Sequence, residues 1–333
     1  MNNVVPMIVD VDTGLDDALA LAYVVRSPRV ALRAVTCVSG NVELAQVYKN
    51  TCAVLENTGA AFENISAAFE NTSAALESAA ADPALIVTAG AERPLLNEPH
   101  HAQGFHGTDG LGGLRLEPSQ QYPDGLHAVE AMRYTVEAEP GQITLLALGP
   151  LTNVALFIRM WPGVASLLKR IVFMGGAVNG GNATAVAEFN AWHDPEALDI
   201  VLRSGIRTEM FSLDVFSQTL LGEDVVARLA ASAGVGAFVH RLLRAQGVDD
   251  SRIGLGDAGA AIIAARPDLC TVKVLPTYVQ LDGAARGQTI VDMRAEGGES
   301  EAHGLTSRAV PCTVVTAIDA PGIAAEFADA VLT

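Results

Sequence analysis

Met7-Ile8-Val9-Asp10-Val11-Asp12-Thr13-Gly14-Leu15-Asp16-Asp17-Ala18-Leu19-Ala20 is the stretch from which the rest of the chain is best read. Residues 4–9 form an apolar run of strand length, and residues 18–25 have helical spacing. The four carboxylates between them therefore fall at the carboxyl end of a strand, the edge where open α/β sheets bind ligands. Four like charges in one turn repel one another, and a hard divalent cation with oxygen ligands offsets them. A solvated turn with Asp capping the helix is the plainer alternative, but a cap needs one Asp and not four.

Further apolar runs recur at residues 31–38, 85–87, 143–147, 171–174 and 272–275, separated by stretches with helical spacing. This alternation predicts an α/β fold: a single domain over residues 1–333 with a Rossmann-like, mostly parallel central sheet flanked by helices. One segment departs from the plan. Leu55, Phe62, Phe69 and Leu76 each open a near-repeat of seven residues, giving an insertion over about residues 55–82. Its alanines favour helix, so it reads as a tandem expansion that lengthens a peripheral helix after Val54, with a coiled-coil or oligomer contact as the alternative.

Composition narrows the partners. The 333 residues are 50% hydrophobic and 18% charged, with a formal net charge of −17. An acidic surface of that size argues against nucleic acid. The start shows no signal-peptide pattern, and no apolar run is long enough to cross a membrane. Four separated cysteines (Cys37, Cys52, Cys270, Cys312) form no CxxC pair and read as reduced thiols, so a cytoplasmic location is expected.

Six later patches join the acidic opening. They are Val38-Ser39-Gly40-Asn41-Val42, Phe105-His106-Gly107-Thr108-Asp109-Gly110-Leu111-Gly112-Gly113, Leu146-Ala147-Leu148-Gly149-Pro150-Leu151-Thr152-Asn153 and Met174-Gly175-Gly176-Ala177. Then come Asn182 with Ala187-Glu188-Phe189-Asn190 and Asp194-Pro195-Glu196-Ala197, and finally Gly254-Leu255-Gly256-Asp257. In this order and spacing the chain resembles the calcium-dependent nucleoside hydrolases, the inosine-uridine-preferring family, from Val4 to about Ala317. Arg286-Gly287-Gln288-Thr289-Ile290-Val291-Asp292 also fits that pattern.

The resemblance implies hydrolysis of the N-glycosidic bond of ribonucleosides to ribose and free base, at an active site at the carboxyl ends of the strands. It implies Ca²⁺ held by Asp12, Asp17, Asp257 and the backbone carbonyl of Leu148, with Asp12 as general base toward a calcium-bound water. Asp10 supports the loop from behind. Asp16, Asn41, Asn182, Glu188 and Asn190 match the sugar-binding positions, and Met174 lies beneath the ring. Such a polar lining favours ribosides over 2′-deoxyribosides, since a missing hydroxyl strands its partners. Relatives are homodimers or homotetramers, and salvage of nucleosides is the implied role.

The chain departs from the family where the leaving base is met. Many relatives carry His immediately before the final calcium Asp; here that residue is Gly256. His106, in Phe-His-Gly, matches a position facing the base pocket and is the candidate catalytic group for the leaving base. His240, on a helix expected over residues 235–245, is a second candidate lining that pocket. Loss of the usual His tilts the expected preference toward pyrimidine ribosides or a broad range. Two other readings compete. A catalytically weak nucleoside- or ribose-binding member is favoured only by Gly256. A haloacid-dehalogenase-like phosphatase fits Asp10-Val11-Asp12-Thr13 loosely, but Lys169 and Lys273 lack the context its chemistry needs.

Overall fold

In the computed structural model, strand β1 (Val5–Val11) runs through the middle of the sheet, with parallel partners β2 (Val30–Cys37) and β5 (Thr144–Ala147) on its two sides. The structure describes residues 4–60, 62–63, 85–116, 126–248, 253–294 and 309–333. The other strands are β3 (Phe62–Glu63), β4 (Leu85–Ala89), β6 (Arg170–Met174), β7 (Thr208–Phe211), β8 (Cys270–Val279), β9 (Thr289–Val291) and β10 (Val310–Ile318). Their order is β3-β4-β2-β1-β5-β6-β7-β10-β8-β9. All pairs from β3 to β10 are parallel, and β8 then runs antiparallel to both β10 and β9. Strand order reverses around β1, since β2 lies on one flank and β5 on the other. That is a topological switch point, where the connections leave a crevice at the carboxyl edge.

Helices cover both faces. In chain order they are α1 (Leu15–Arg26), α2 (Leu44–Thr58), α3 (Gln103–His106), α4 (Ala128–Ala138), α5 (Thr152–Met160), α6 (Pro162–Ala165), α7 (Phe189–His193), α8 (Pro195–Leu202), α9 (Leu213–Phe216), α10 (Glu223–Ala230), α11 (Gly234–Ala245), α12 (Asp257–Ala265) and α13 (Ala320–Val331). The pleat of β1 divides the core. Met7, Val9 and Val11 meet α1, α2 and α12, while Ile8 enters a second cluster with Val129, Val154 and Leu198 on the opposite face. Burial on both faces explains why the strands read as near-continuous apolar runs.

Three expectations are adjusted. β1 continues to Val11 and α1 begins at Leu15, so Asp10 is a strand residue and Asp16 and Asp17 occupy the first helical turn. The Asp17 carboxylate accepts the Gly14 N–H at 2.9 Å, which draws the helix start three residues upstream of the apolar spacing. The peripheral helix is not prolonged through the start of the repeat: α2 stops at Thr58, Gly59 takes a left-handed conformation (φ 83°), and Phe62–Glu63 pairs with β4. Glycine has no Cβ to oppose that conformation and ends helices for that reason. Residues 64–82 of the repeat lie outside the described residues. Among the described residues, no helix is long and apolar enough to cross a membrane.

Candidate active site

The crevice at the carboxyl ends of β1, β5 and β6 is a cavity of about 220 Å³. Asp12, Asp16, Asn41, His106, Leu148, Met174, Asn182, Glu188, Asn190 and Asp257 line it, together with Ala102, Phe105, Ala183, Phe189 and Phe216. A larger cavity of about 590 Å³, between β8, β9 and the approach to β10, is lined by Pro276, Tyr278, Ile290 and Asp292 among others and gathers no such acids.

Asp12 sits one residue beyond β1, 1% exposed, with Oδ2 accepting the Asn41 N–H at 2.8 Å. Its carboxylate is wedged between two glycines. A Cβ on Gly40 would lie 2.1 Å from Asp12 Oδ2, and one on Gly149 would lie 2.8 Å from Oδ1. Burial, reinforced by Asp17 and Asp16, holds its pKa well above the usual carboxylate range. Asp17 is fully buried and is pushed up to about 7 by burial and by Asp16; its Oδ2 also meets Asn41 Nδ2 at 3.3 Å. Asp257 opens α12, buried, with its pKa raised by burial and by Asp16, Asp17, Asp12 and Glu188.

The carboxylates of Asp16, Asp17 and Asp257 offer ligand oxygens that all lie within 4.8 Å of one another. One oxygen of each, Oδ1, is buried with no hydrogen-bond partner. Unpaired buried carboxylate oxygens are costly unless a cation meets them. An all-oxygen donor set suits a hard divalent ion. The residues therefore fit a metal. The expected set of Asp12, Asp17, Leu148 and Asp257 is brought to this region, and the geometry adds Asp16, which the sequence assigned to sugar binding. The Leu148 carbonyl accepts from Asn190 Nδ2 at 2.7 Å, leaving its second lone pair.

The sugar-binding candidates converge but are held differently. Glu188 caps α7 and accepts backbone N–H groups from Asn190 (2.9 Å), Gly176 (2.8 Å) and Ala191 (3.1 Å). Burial still raises its pKa to about 7. Asn190 donates to the Leu148 and Met174 carbonyls, so it ties the ends of β5 and β6 together. Asn182 Oδ1 accepts the Phe189 N–H at 2.9 Å. Met174 ends β6, 4% exposed, with Asn190 Nδ2 3.5 Å from its sulfur.

His106 ends α3, buried at the cavity wall. Its Nδ1 accepts the Leu15 N–H at 3.3 Å and lies 3.8 Å from Asp16 Oδ1, beyond hydrogen-bond reach. A neutral ring accepting at Nδ1 carries its proton on Nε2. His240 is placed otherwise than expected. It sits half-buried on α11, whose buried face (Phe238, Val239, Leu242, Leu243) packs into the core, and it is not among the residues lining the cavity.

Sequence reasoning missed a supporting residue and three aromatic rings. Asn153 is fully buried; its Nδ2 donates to Asp10 Oδ1 (2.9 Å) and the Cys37 carbonyl (3.0 Å), and its Oδ1 accepts the Ala91 N–H (2.8 Å). Asp10 also accepts from Thr36 Oγ1 at 2.6 Å, and burial pushes its pKa up to about 7. The Asp10 carboxylate thus ties β1 to β2 through Thr36 and to α5 through Asn153, just before the acidic loop. Phe105, Phe189 and Phe216 line the cavity. In sequence they read as ordinary apolar residues, with Phe105 and Phe189 marked only by their motifs.

Comparisons with known proteins bear on the family and the fold. The family described as inosine-uridine preferring nucleoside hydrolase matches residues 7–325. The non-specific ribonucleoside hydrolase RihC of Shigella boydii is 33% identical over 291 residues, covering 86% of this chain and 88% of its own. Among solved structures, the plant nucleoside hydrolase PpNRh1 superposes with a TM-score of 0.81 at 25% identity, covering 98% of this chain and 99% of its own. The purine-preferring ribonucleoside hydrolase of Gardnerella vaginalis gives 0.80 at 26% identity, with 98% of each chain covered.

Proposed function

This chain belongs to the inosine-uridine preferring nucleoside hydrolase family, and on that basis we propose how it splits ribonucleosides into ribose and free base. Asp12 is the general base that takes a proton from the attacking water. Its Oδ2 is occupied by the Asn41 N–H, so Oδ1 is the oxygen left to receive it. A general base needs such a free carboxylate oxygen within hydrogen-bond reach of the water. Cleavage builds positive charge on the ribose ring, and the surrounding carboxylates face that charge.

Asp17, Asp257, Asp12 and the Leu148 carbonyl, with Asp16 beside them, are the residues that would hold Ca²⁺. When bound, the ion supplies Lewis acidity and neutralises the clustered carboxylates. Asp16, Asn41, Asn182, Glu188 and Asn190 position the ribose hydroxyls, giving ribosides an advantage over 2′-deoxyribosides. Met174 provides a soft apolar contact beneath the ring. His106 presents its Nε2–H to the departing base, the role that Gly256 cannot fill. The phosphatase reading falls with the family assignment, and among the described residues no lysine lines the cavity.

The observation that carries this reading is the trio of unpartnered carboxylate oxygens on Asp16, Asp17 and Asp257, beside a general base in a cavity at the switch point. Reducing-sugar release from uridine, cytidine, inosine, adenosine and guanosine, with Ca²⁺ and with EDTA, tests it. Metal-dependent release from any of them supports it and ranks the bases. Release undiminished in chelator removes the metal assignment. Nucleoside binding by calorimetry with no release from any of the five replaces it with the binding-only reading. Asp12→Asn is expected to lose at least a thousandfold in kcat while keeping its circular dichroism; turnover near the parent rate rules Asp12 out as the base. We place the protein in the cytoplasm, as the free thiols at Cys37, Cys52, Cys270 and Cys312 suggest. A homodimer or homotetramer goes with the family resemblance, and sedimentation measures it.

A further inference from the structure

Gly256 is more than a missing histidine, because another side chain uses the room beside it. Its backbone (φ 54°, ψ −120°) is one that side-chain-bearing residues rarely adopt. A Cβ built there would lie 2.7 Å from Asp16 Cβ, 2.9 Å from Phe216 Cζ and 3.1 Å from Phe216 Cε2. The Phe216 ring therefore lies against the bare backbone of Gly256, beside the metal-site residue Asp257.

The ring is fixed there by backbone, not by chance packing. The Phe216 carbonyl accepts the Thr219 N–H (3.2 Å) and Thr219 Oγ1 (2.8 Å). The Leu255 N–H donates to the Thr219 carbonyl at 2.8 Å, and the Leu221 N–H to the Ile253 carbonyl at 2.9 Å. A bridge between Leu220 and Gly254 completes the zipper. The segment after α9 is thus stitched to the strand-like approach to α12, which sets the ring against Gly256. Phe216 is half-buried: it packs against the main core cluster and also lines the cavity. Asp16 Cβ and the Phe216 ring meet at Gly256, and the Asp16 carboxylate lies 3.8 Å from the His106 ring, so the apolar ring and the imidazole both neighbour Asp16.

We propose that Phe216, seated on the side-chain-free backbone of Gly256, is a substrate-binding residue that recognises the planar nucleobase, whatever its identity, by stacking on its face. The pair replaces a proton-donating wall with an apolar one. Every base has a π-face, so this wall accepts purines and pyrimidines alike, and a solvent-excluding aromatic contact gives about tenfold or more in affinity per base. Recognition at this wall does not reach free ribose, which has no planar ring to stack.

The inference rests on the ribonucleoside hydrolase reading, and its test separates the two. Initial rates for uridine and inosine, with inhibition by ribose, are compared for the parent, Phe216→Ala, Phe216→Leu and Phe216→Tyr. Phe216→Ala and Phe216→Leu are expected to raise KM about tenfold, more than they lower kcat, with the ribose inhibition constant unmoved; Phe216→Tyr restores the parent KM. An unchanged KM in Phe216→Ala overturns the proposal. So does a ribose inhibition constant that weakens in step with KM, which marks a scaffold role. If the parent releases no ribose at all, the hydrolase reading fails, and the stacking is judged by calorimetric binding of inosine and ribose. A selective loss of inosine affinity in Phe216→Ala then upholds it, and no difference, absence of binding included, overturns it.

Discussion

The Asp12 carboxylate works in a slot whose walls are absent side chains. Gly40 and Gly149 come from the loops after β2 and β5, and a methyl group on either meets an Asp12 oxygen inside contact distance. Gly40→Ala is therefore expected to displace the proposed general base, lowering ribose release about a hundredfold or more, a loss that steady-state rates would register. Asn153 illustrates the second way this site is held. Its amide spans Asp10, Cys37 and Ala91, and Asn153→Ala leaves buried partners unpaired at a cost of about 1–3 kcal/mol. Thermal unfolding would show the loss, and an unchanged Tm contradicts it. The acids were legible because four in eight residues have no cheap structural explanation. Asn153 stands in the Leu146–Asn153 motif, but nothing in that motif names its partners, and Phe216 lies in no motif at all. Their roles appear only when distant segments meet.

At the scale of the element, strands that alternate with helices announced the sheet, but two of the most informative strands were hidden by their own charges. β6 begins with Arg170, and β7 carries Glu209 in a short polar-looking stretch, so β7 shows no apolar run and that of β6 covers only residues 171–174. The two charges explain each other: Arg170 Nη1 lies 2.9 Å from Glu209 Oε2, both side chains largely buried. Arg170 Nη2 also donates to the Ala264 carbonyl at the C-terminal end of α12. A cation is favoured at that pole of a helix, and α12 presents Asp257 at the other. Arg170→Ala removes the helix's anchor and leaves buried Glu209 only the more distant Arg207, 3.7 Å from Oε2; breaking a buried pair in this way costs about 3–5 kcal/mol. The expected outcome is a lowered urea midpoint together with a higher Ca²⁺ concentration for half-maximal activity. A stability loss with unchanged calcium dependence would show that α12 holds Asp257 without this anchor.

For the whole molecule, the site is a standing electrostatic cost that its ligand relieves. The chain carries a formal charge of −17, and burial holds Asp10, Asp17 and Glu188 each up to about 7. From about pH 4 to 7 these groups keep protons in the folded state that the unfolded chain has already lost. Stability without metal therefore falls as pH rises through that window, the reverse of ordinary acid denaturation. In EDTA the Tm is expected to be higher at pH 5.5 than at pH 7.5. On the proposed calcium assignment the ion binds the ionised carboxylates, so adding Ca²⁺ at pH 7.5 is expected to restore stability, by roughly 3 kcal/mol at a hundredfold excess over Kd. At pH 5.5 the same addition competes with protons and gives a smaller shift. Differential scanning calorimetry across the four conditions decides the matter. A metal-free Tm that rises steadily from pH 5.5 to 7.5 would mean that these carboxylates are already ionised and paired in the folded chain. The unpaired oxygens of Asp16, Asp17 and Asp257 would then no longer argue for a cation.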